Sequence, residues 1–185
     1  MMMRKVLYCI AIVLFCTVTM VGCRSLTIAG EATNSMDTMD PAQVEKELRS
    51  KPSLETVRDQ YRALVRQLAD QIAALTPGTT WSLDEDTWVG CGGIYGKTNA
   101  RQAYLMAVFS GPIPESAWPQ AFRLVEDAAA KLGATNHGTF QNRSANHDVA
   151  FSGTNRVVFQ LATQKASTLV ARTDCRLNQA DMEPK

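Results

Sequence analysis

At 185 residues, 45% apolar and 20% charged, the chain has the length of one ordinary domain with a processed or flexible end and the composition of a protein that buries a core. Those figures exclude two full domains and an intrinsically disordered chain. The net charge of +1 gives no electrostatic reason to expect nucleic acid as a partner; losing residues 1–22 removes two of the 19 basic residues and none of the 18 acidic ones, leaving 17 against 18.

Arg4 and Lys5 precede an uncharged run, residues 6–22, the basic and apolar regions of an export signal. A spanning helix needs about 20 apolar residues, with about 17 as its lower limit, so length alone leaves a membrane anchor open. The tetrad Met20-Val21-Gly22-Cys23 decides between them, because it resembles the lipobox of bacterial lipoproteins, with Met20 where Leu is more usual. The resemblance implies cleavage after Gly22 and a diacylglyceryl group on the Cys23 sulfur. Cysteine offers the soft nucleophile that such chemistry needs, and a small Gly22 leaves room beside the lipid. Each buried CH₂ of an acyl chain such as palmitate contributes about 0.8 kcal/mol, so two or three chains hold where one is marginal. The expected location is the extracytoplasmic side of the cell membrane, with membrane lipid as the first partner.

The division expected is a signal peptide over residues 1–22, a tether over 23–39, one globular domain over 40–177 and a polar C-terminal tail over 178–185. The tether is rich in Thr, Ser, Gly and Asn and shows no sustained period. Thr27, Thr33, Ser35 and Thr38 are candidate O-glycosylation points within it.

Asp40-Pro41 reads as an N-cap followed by proline at the first helical position, which predicts a short helix over "AQVEKELR". Ser53 is a second helix start. Behind it Leu54, Val57, Tyr61, Leu64, Val65, Leu68, Ile72 and Leu75 form one apolar face of a helix closed by "TPG", while Arg58, Asp59, Arg62, Arg66, Gln67 and Asp70 are polar. From Thr79 the texture becomes β. "TTWSLDED" starts with strand formers but alternates poorly, "AYLMAVFS" (103–110) is a buried run, and Gly111-Pro112 stops it. A helix is expected from about Pro114 to Leu132, with Gly133 as its stop. Three further strands are expected: one at either 139–141 or 148–152, one at 155–163 with Val157, Phe159 and Leu161 on one face, and one at 167–174. "FSGTNR" turns the chain between two of them. Together these elements predict an α+β fold, an antiparallel β-sheet packed on one face by two main α-helices.

Once Cys23 carries lipid and the signal is gone, Cys91 and Cys175 form an even pair in an oxidising compartment and are expected to be bridged. A catalytic thiol is the alternative, and a lone thiol would oxidise in that compartment.

Trp81, Asp84, Asp86 and Trp88 lie within "WSLDEDTW", read as an acidic turn and as the candidate ligand loop. It lacks the spaced acids of a calcium loop, so no metal is expected, nor any cofactor. His137 and His147 are the only histidines. Asp148 follows His147 directly, and in an extended segment the two face opposite ways. "GCGGIYGKTN" ends like a phosphate-binding loop, but Cys91 stands where that motif requires its first glycine. "NRS" at Asn142 matches the N-glycosylation sequon.

The lipobox, "PGTTWSLDED", Cys91, "AAAKLGAT", "FQNRSANHDV" and the closing "TDC" occur in order. On these the chain resembles the LppA family of mycobacterial lipoproteins, from about Leu54 to Leu177. The resemblance implies an envelope lipoprotein and carries over no catalytic residue. The functional expectation is a membrane-anchored binding domain whose partner is an envelope protein or a small apolar ligand held between helix and sheet. The alternatives are an envelope hydrolase using Asp84, Asp86, His137 or His147, or a host-facing antigen presenting the glycine-rich loop around Cys91.

Overall fold

The computed structural model describes residues 40–183, so the signal, Cys23 and the tether lie outside the described residues. The first element is α1 (Pro41–Arg49). Its start is fixed as the sequence predicts: the Asp40 carboxylate accepts from the Ala42 N–H at 3.1 Å, and Pro41 occupies the first turn. Val44 and Leu48, on one side of this helix, are buried against Ala100, Cys175 and Leu177.

α2 (Leu54–Ala74) begins behind Ser53, whose hydroxyl meets both the Thr56 N–H and the Thr56 hydroxyl. Of its apolar stripe, Leu54, Val57, Tyr61, Val65, Leu68 and Ile72 are buried. The Leu54 N–H donates to Leu177 O at 2.8 Å, tying the start of α2 to the C-terminal segment. α3 (Trp118–Lys131) starts later than its sequence suggests. Pro114–Ala117 forms a separate turn, and Pro119 supplies the first-turn proline.

Six strands form one antiparallel sheet: β1 (Trp81–Gly90), β2 (Arg101–Phe109), β3 (Asn136–Arg143), β4 (Asn146–Ser152), β5 (Val158–Thr163) and β6 (Ser167–Arg172). Their order is β1-β2-β6-β5-β4-β3. Residues 139–141 and 148–152, taken from sequence as alternatives for one strand, are both strands and pair as a hairpin.

Both α2 and α3 pack on the same face, making one core with Leu105, Phe109, Phe151, Phe159, Leu161 and Leu169. Burying a side chain of this size contributes about 2 kcal/mol, so the layer between helices and sheet is the main source of stability. The α3 stop and the β4–β5 turn meet there. Gly133 takes φ +82°, and a Cβ on Gly153 would lie 2.4 Å from Gly133 O, so only glycine fits this contact.

Beyond Leu177 lies the segment expected as a polar C-terminal tail, described as far as residue 183. Residues Gln179–Asp181 form a 3₁₀ turn, Met182 packs on the α1 cluster, and Arg49 donates to Asp181 O at 2.9 Å. Apolar burial and this hydrogen bond hold the segment against α1.

Candidate functional site

The segment read as a ligand loop is an edge strand, and this overturns its reading as an acidic turn. Trp81, Asp84, Asp86 and Trp88 all lie on β1, paired to β2 along its length. The register slips by one residue between Leu83 and Glu85, so Asp84 is bulged out. Trp81 and Leu83 lie opposite Phe109 and Ala107, on the helix face. After the bulge it is Asp86 and Trp88, opposite Leu105 and Ala103, that share that face. This phase change is why the segment alternates poorly in sequence.

Asp86 thereby meets α2. Arg58 Nε donates to its Oδ1 at 2.6 Å, and Arg62 Nε donates to Oδ2. Desolvation opposes the carboxylate's charge, but the bonds from Arg62 and Arg58 outweigh it and hold Asp86 below the usual carboxylate range. Arg62 is raised in return, first by its bond to Asp86. Trp81 Nε1 donates to Asp70 of α2 at 2.8 Å, and Trp88 lies under the Arg101 guanidinium, 3.6 Å from the ring centroid. A pair of arginines four apart beside the apolar stripe was the only sequence signal for this clamp.

Cys91 and Cys175 are joined, with Cα atoms 6.2 Å apart. The bond fastens the end of β1 to the segment after β6, next to α1. Nearby, burial pushes the Tyr61 phenol well above its ordinary range, with Asp174 adding to the effect.

At the opposite edge lies a cluster that sequence reasoning missed. His147 is 4% exposed and stacks on Trp118, with ring centroids 4.4 Å apart. Its Nδ1 is 3.0 Å from Asn142 Oδ1, and its Nε2 is 3.0 Å from Glu115 Oε2. The Ala145 N–H also donates to Glu115 at 2.9 Å, and this bond, with His147 second, lowers the Glu115 carboxyl. Glu115 thus ties the turn before α3 to the β3–β4 hairpin tip, where Ala145 has φ 57°. No spacing in the sequence links residues 32 apart in this way.

Asp148 points away from His147 and accepts from Gln160 at 2.7 Å on the other face. His137 packs against Phe122 and Phe151. Asp84 and Asp86 sit on β1 while His137 and His147 sit on β3 and β4. β1 and β3 are the two sheet edges, about 24 Å apart at 4.8 Å per strand. The four residues proposed for a hydrolase are therefore not one site.

The remaining surface of note is the sheet face turned away from α2 and α3. Met106 and Val108 of β2, Val170 of β6, and Val158, Gln160 and Ala162 of β5 are half-buried there, in register across the strands. Among the described residues no helix packs on this face. Its mixture of valine, methionine and amide side chains suits a broad, shallow contact rather than an enclosed ligand, while the space between helix and sheet is filled by the core.

Comparison with known proteins gives a consistent picture. A family described as a lipoprotein confined to pathogenic Mycobacterium, LppA, matches residues 30–179. The Mycobacterium tuberculosis protein named lipoprotein LppA is 27% identical over 176 residues, covering 87% of this chain and 80% of that protein. LppB of the same species is 29% identical over 147 residues, covering 71% and 63%. The crystal structure of M. tuberculosis LppA is similar with a TM-score of 0.67 at 28% identity, over 77% of this chain and 89% of that one. A DUF4853 family protein from Actinomyces odontolyticus shares the fold with a TM-score of 0.50 at 16% identity, over 72% of each chain.

Proposed function

The chain belongs to the LppA family of lipoproteins, and from that premise we propose an envelope lipoprotein, anchored through lipid on Cys23 to the extracytoplasmic side of the membrane, whose domain binds another envelope component. The basic and apolar leader ending in Met20-Val21-Gly22-Cys23 supports the anchor. A disulfide between Cys91 and Cys175 fits an oxidising compartment.

The observation that carries the binding reading is the uncovered sheet face. Half-buried Met106, Val108, Val158 and Val170 offer apolar contact, while Gln160 and Asp148 supply hydrogen bonds at fixed positions on a rigid sheet.

The test is made in cells carrying the full chain. Replacing Cys23 by Ala should move the protein out of the membrane fraction and abolish labelling by radioactive palmitate. A photo-crosslinking amino acid at Met106 or Val170 should capture a discrete envelope component, while the same group at exposed Arg66 on the helix side should not. Equal capture from both faces, or none from either, would refute the binding surface.

A further inference from the structure

The end of the domain that carries α1 also carries four cations without an ion-pair partner among the described residues. α1, the first described element, lies beside the turn Gly93–Tyr95 and buries its apolar side against Ala100, Cys175 and Leu177. Sixteen residues, Arg24 to Met39, separate this helix's cap from Cys23. Fully extended they reach at most ~50 Å, so a lipid on Cys23 keeps this end of the domain within that distance of a bilayer.

Here Arg101 lies 3.6 Å from the Trp88 ring centroid, Arg156 5.4 Å from that of Tyr95, and Arg172 5.1 Å from that of Tyr104. Lys97 stands in the same glycine-rich loop as Tyr95. None of these four cations makes an ion pair among the described residues, although other cations at this end do. Three nearby carboxylates are engaged, Asp86 by Arg58 and Arg62, Asp174 by Arg176, and Asp181 by Asn99 and Asn178, while Asp84 and Glu85 lie further back along β1, three or more residues before Trp88.

A guanidinium lying on an aromatic face keeps its N–H edge free, and that edge matches phosphate oxygens in pairs. Trp88 and Val89 add apolar surface at the same strand end, 45% and 42% exposed. Tryptophan beside unpaired arginine and lysine is the side-chain chemistry that settles where head groups meet acyl chains.

Resting on the anchored reading above, we propose that this end of the domain docks on the membrane that holds its lipid, with Lys97, Arg101, Arg156 and Arg172 taking anionic phospholipid head groups and Trp88 and Val89 seated at head-group depth. The glycine-rich loop around Cys91 is then a membrane-facing surface. The tether makes the contact intramolecular, so a weak affinity for free lipid is enough to keep it closed. Arg172 and Tyr104 lie at one end of the open sheet face, so the far end of that face, around Val108 and Ala162, points away from the bilayer.

The test uses the mature lipidated chain in vesicles of phosphatidylcholine alone or mixed with phosphatidylglycerol. Lipids brominated near the head group quench tryptophan at that depth, and the difference between the protein and its Trp88→Phe variant isolates the Trp88 signal. The expected result is a several-fold stronger quenching of Trp88 in the anionic vesicles, reversed by high salt and by the double substitution Lys97→Glu, Arg172→Glu. Salt reversal in the unaltered protein needs no variant to fold. Trp88 quenched equally in both vesicles, or in neither, overturns the docking. So does shielding of Trp88 that follows the protein-to-lipid ratio instead of the phosphatidylglycerol content, which would assign the surface to a second copy. Protein that fails to float with either vesicle overturns the anchor and the docking together; protein that floats with Trp88 unquenched overturns the docking alone.

Discussion

The two edges of the sheet, β1 and β3, use the same device with different chemistry. Each carries a bulge, between Leu83 and Glu85 in one and between Thr139 and Gln141 in the other. Each bulge swings a polar residue onto the helix face, where it meets a waiting partner. On β1 that residue is Asp86, facing Arg58 and Arg62; on β3 it is Asn142, facing His147. The β1 edge is held by charge, by the Trp81–Asp70 bond and by a disulfide at its end. The β3 edge is held by an amide, an imidazole and aromatic stacking, and only Glu115 adds a carboxylate. An edge strand must be kept from pairing with another chain. β1 does so with three successive acids, whereas β3 has no acid or lysine and leaves Phe140 65% exposed at its bulge.

Cutting the covalent tie should separate the two edges most. For the 84-residue separation of Cys91 and Cys175, chain entropy assigns the bond about 4.5 kcal/mol as an upper figure. Substituting both cysteines by serine should lower stability to urea by up to that amount. Amide exchange should then quicken in β1 and α1 before it does in β3. Uniform loss of protection would show that the edges are not independent.

Next in size is His147→Ala on the β3 side. It removes the stack on Trp118 and leaves Asn142 and Glu115 without their partner, at a cost of about 2 kcal/mol. Faster exchange should be confined to the β3–β4 hairpin and the turn before α3, as read by hydrogen–deuterium exchange.

Asp86→Asn should cost about 1 kcal/mol at neutral pH, the bond energies to charged groups being discounted because the carboxylate is about a quarter exposed. Its pH dependence is the sharper readout. The carboxyl titrates lower in the folded protein than its ordinary 3.8. Its contribution is therefore complete above about pH 4 and disappears as the pH falls through the folded value. Urea midpoints measured from pH 6 down to pH 2 should fall less steeply for the variant. Parallel acid limbs for the two proteins would remove Asp86 from the acid response.

The smallest effect is expected at Phe140→Ser, within about 0.5 kcal/mol because the side chain is mostly exposed. Its consequence should be improved solubility at high concentration, measured by light scattering. A stability loss well beyond that figure would mean Phe140 packs as β1 residues do.

Much of this architecture was legible in advance. Asp40-Pro41 and Ser53 mark helix starts, the Leu54 to Ile72 stripe marks the buried side of α2, and Phe159 and Leu161 mark the inward face of β5. The readings that failed cluster at the two bulged edges. "WSLDEDTW" reads as a turn because its apolar spacing changes phase after Leu83. Residues 139–141 and 148–152 read as alternatives because every residue of β3 is exposed and leaves no apolar period to count. Glu115 and His147 met only through the fold.

The sequence by itself carried the resemblance to the family, a pair of cysteines able to bridge, and an α+β domain with a helix-covered sheet. Tertiary structure alone decided where each edge strand slips by a residue, and hence which acid meets α2 and which amide meets His147. The physical reason is that a two-residue period specifies a strand's faces only while its register is unbroken. An inserted residue reverses the phase, and its position is fixed by partners that lie on other strands and helices.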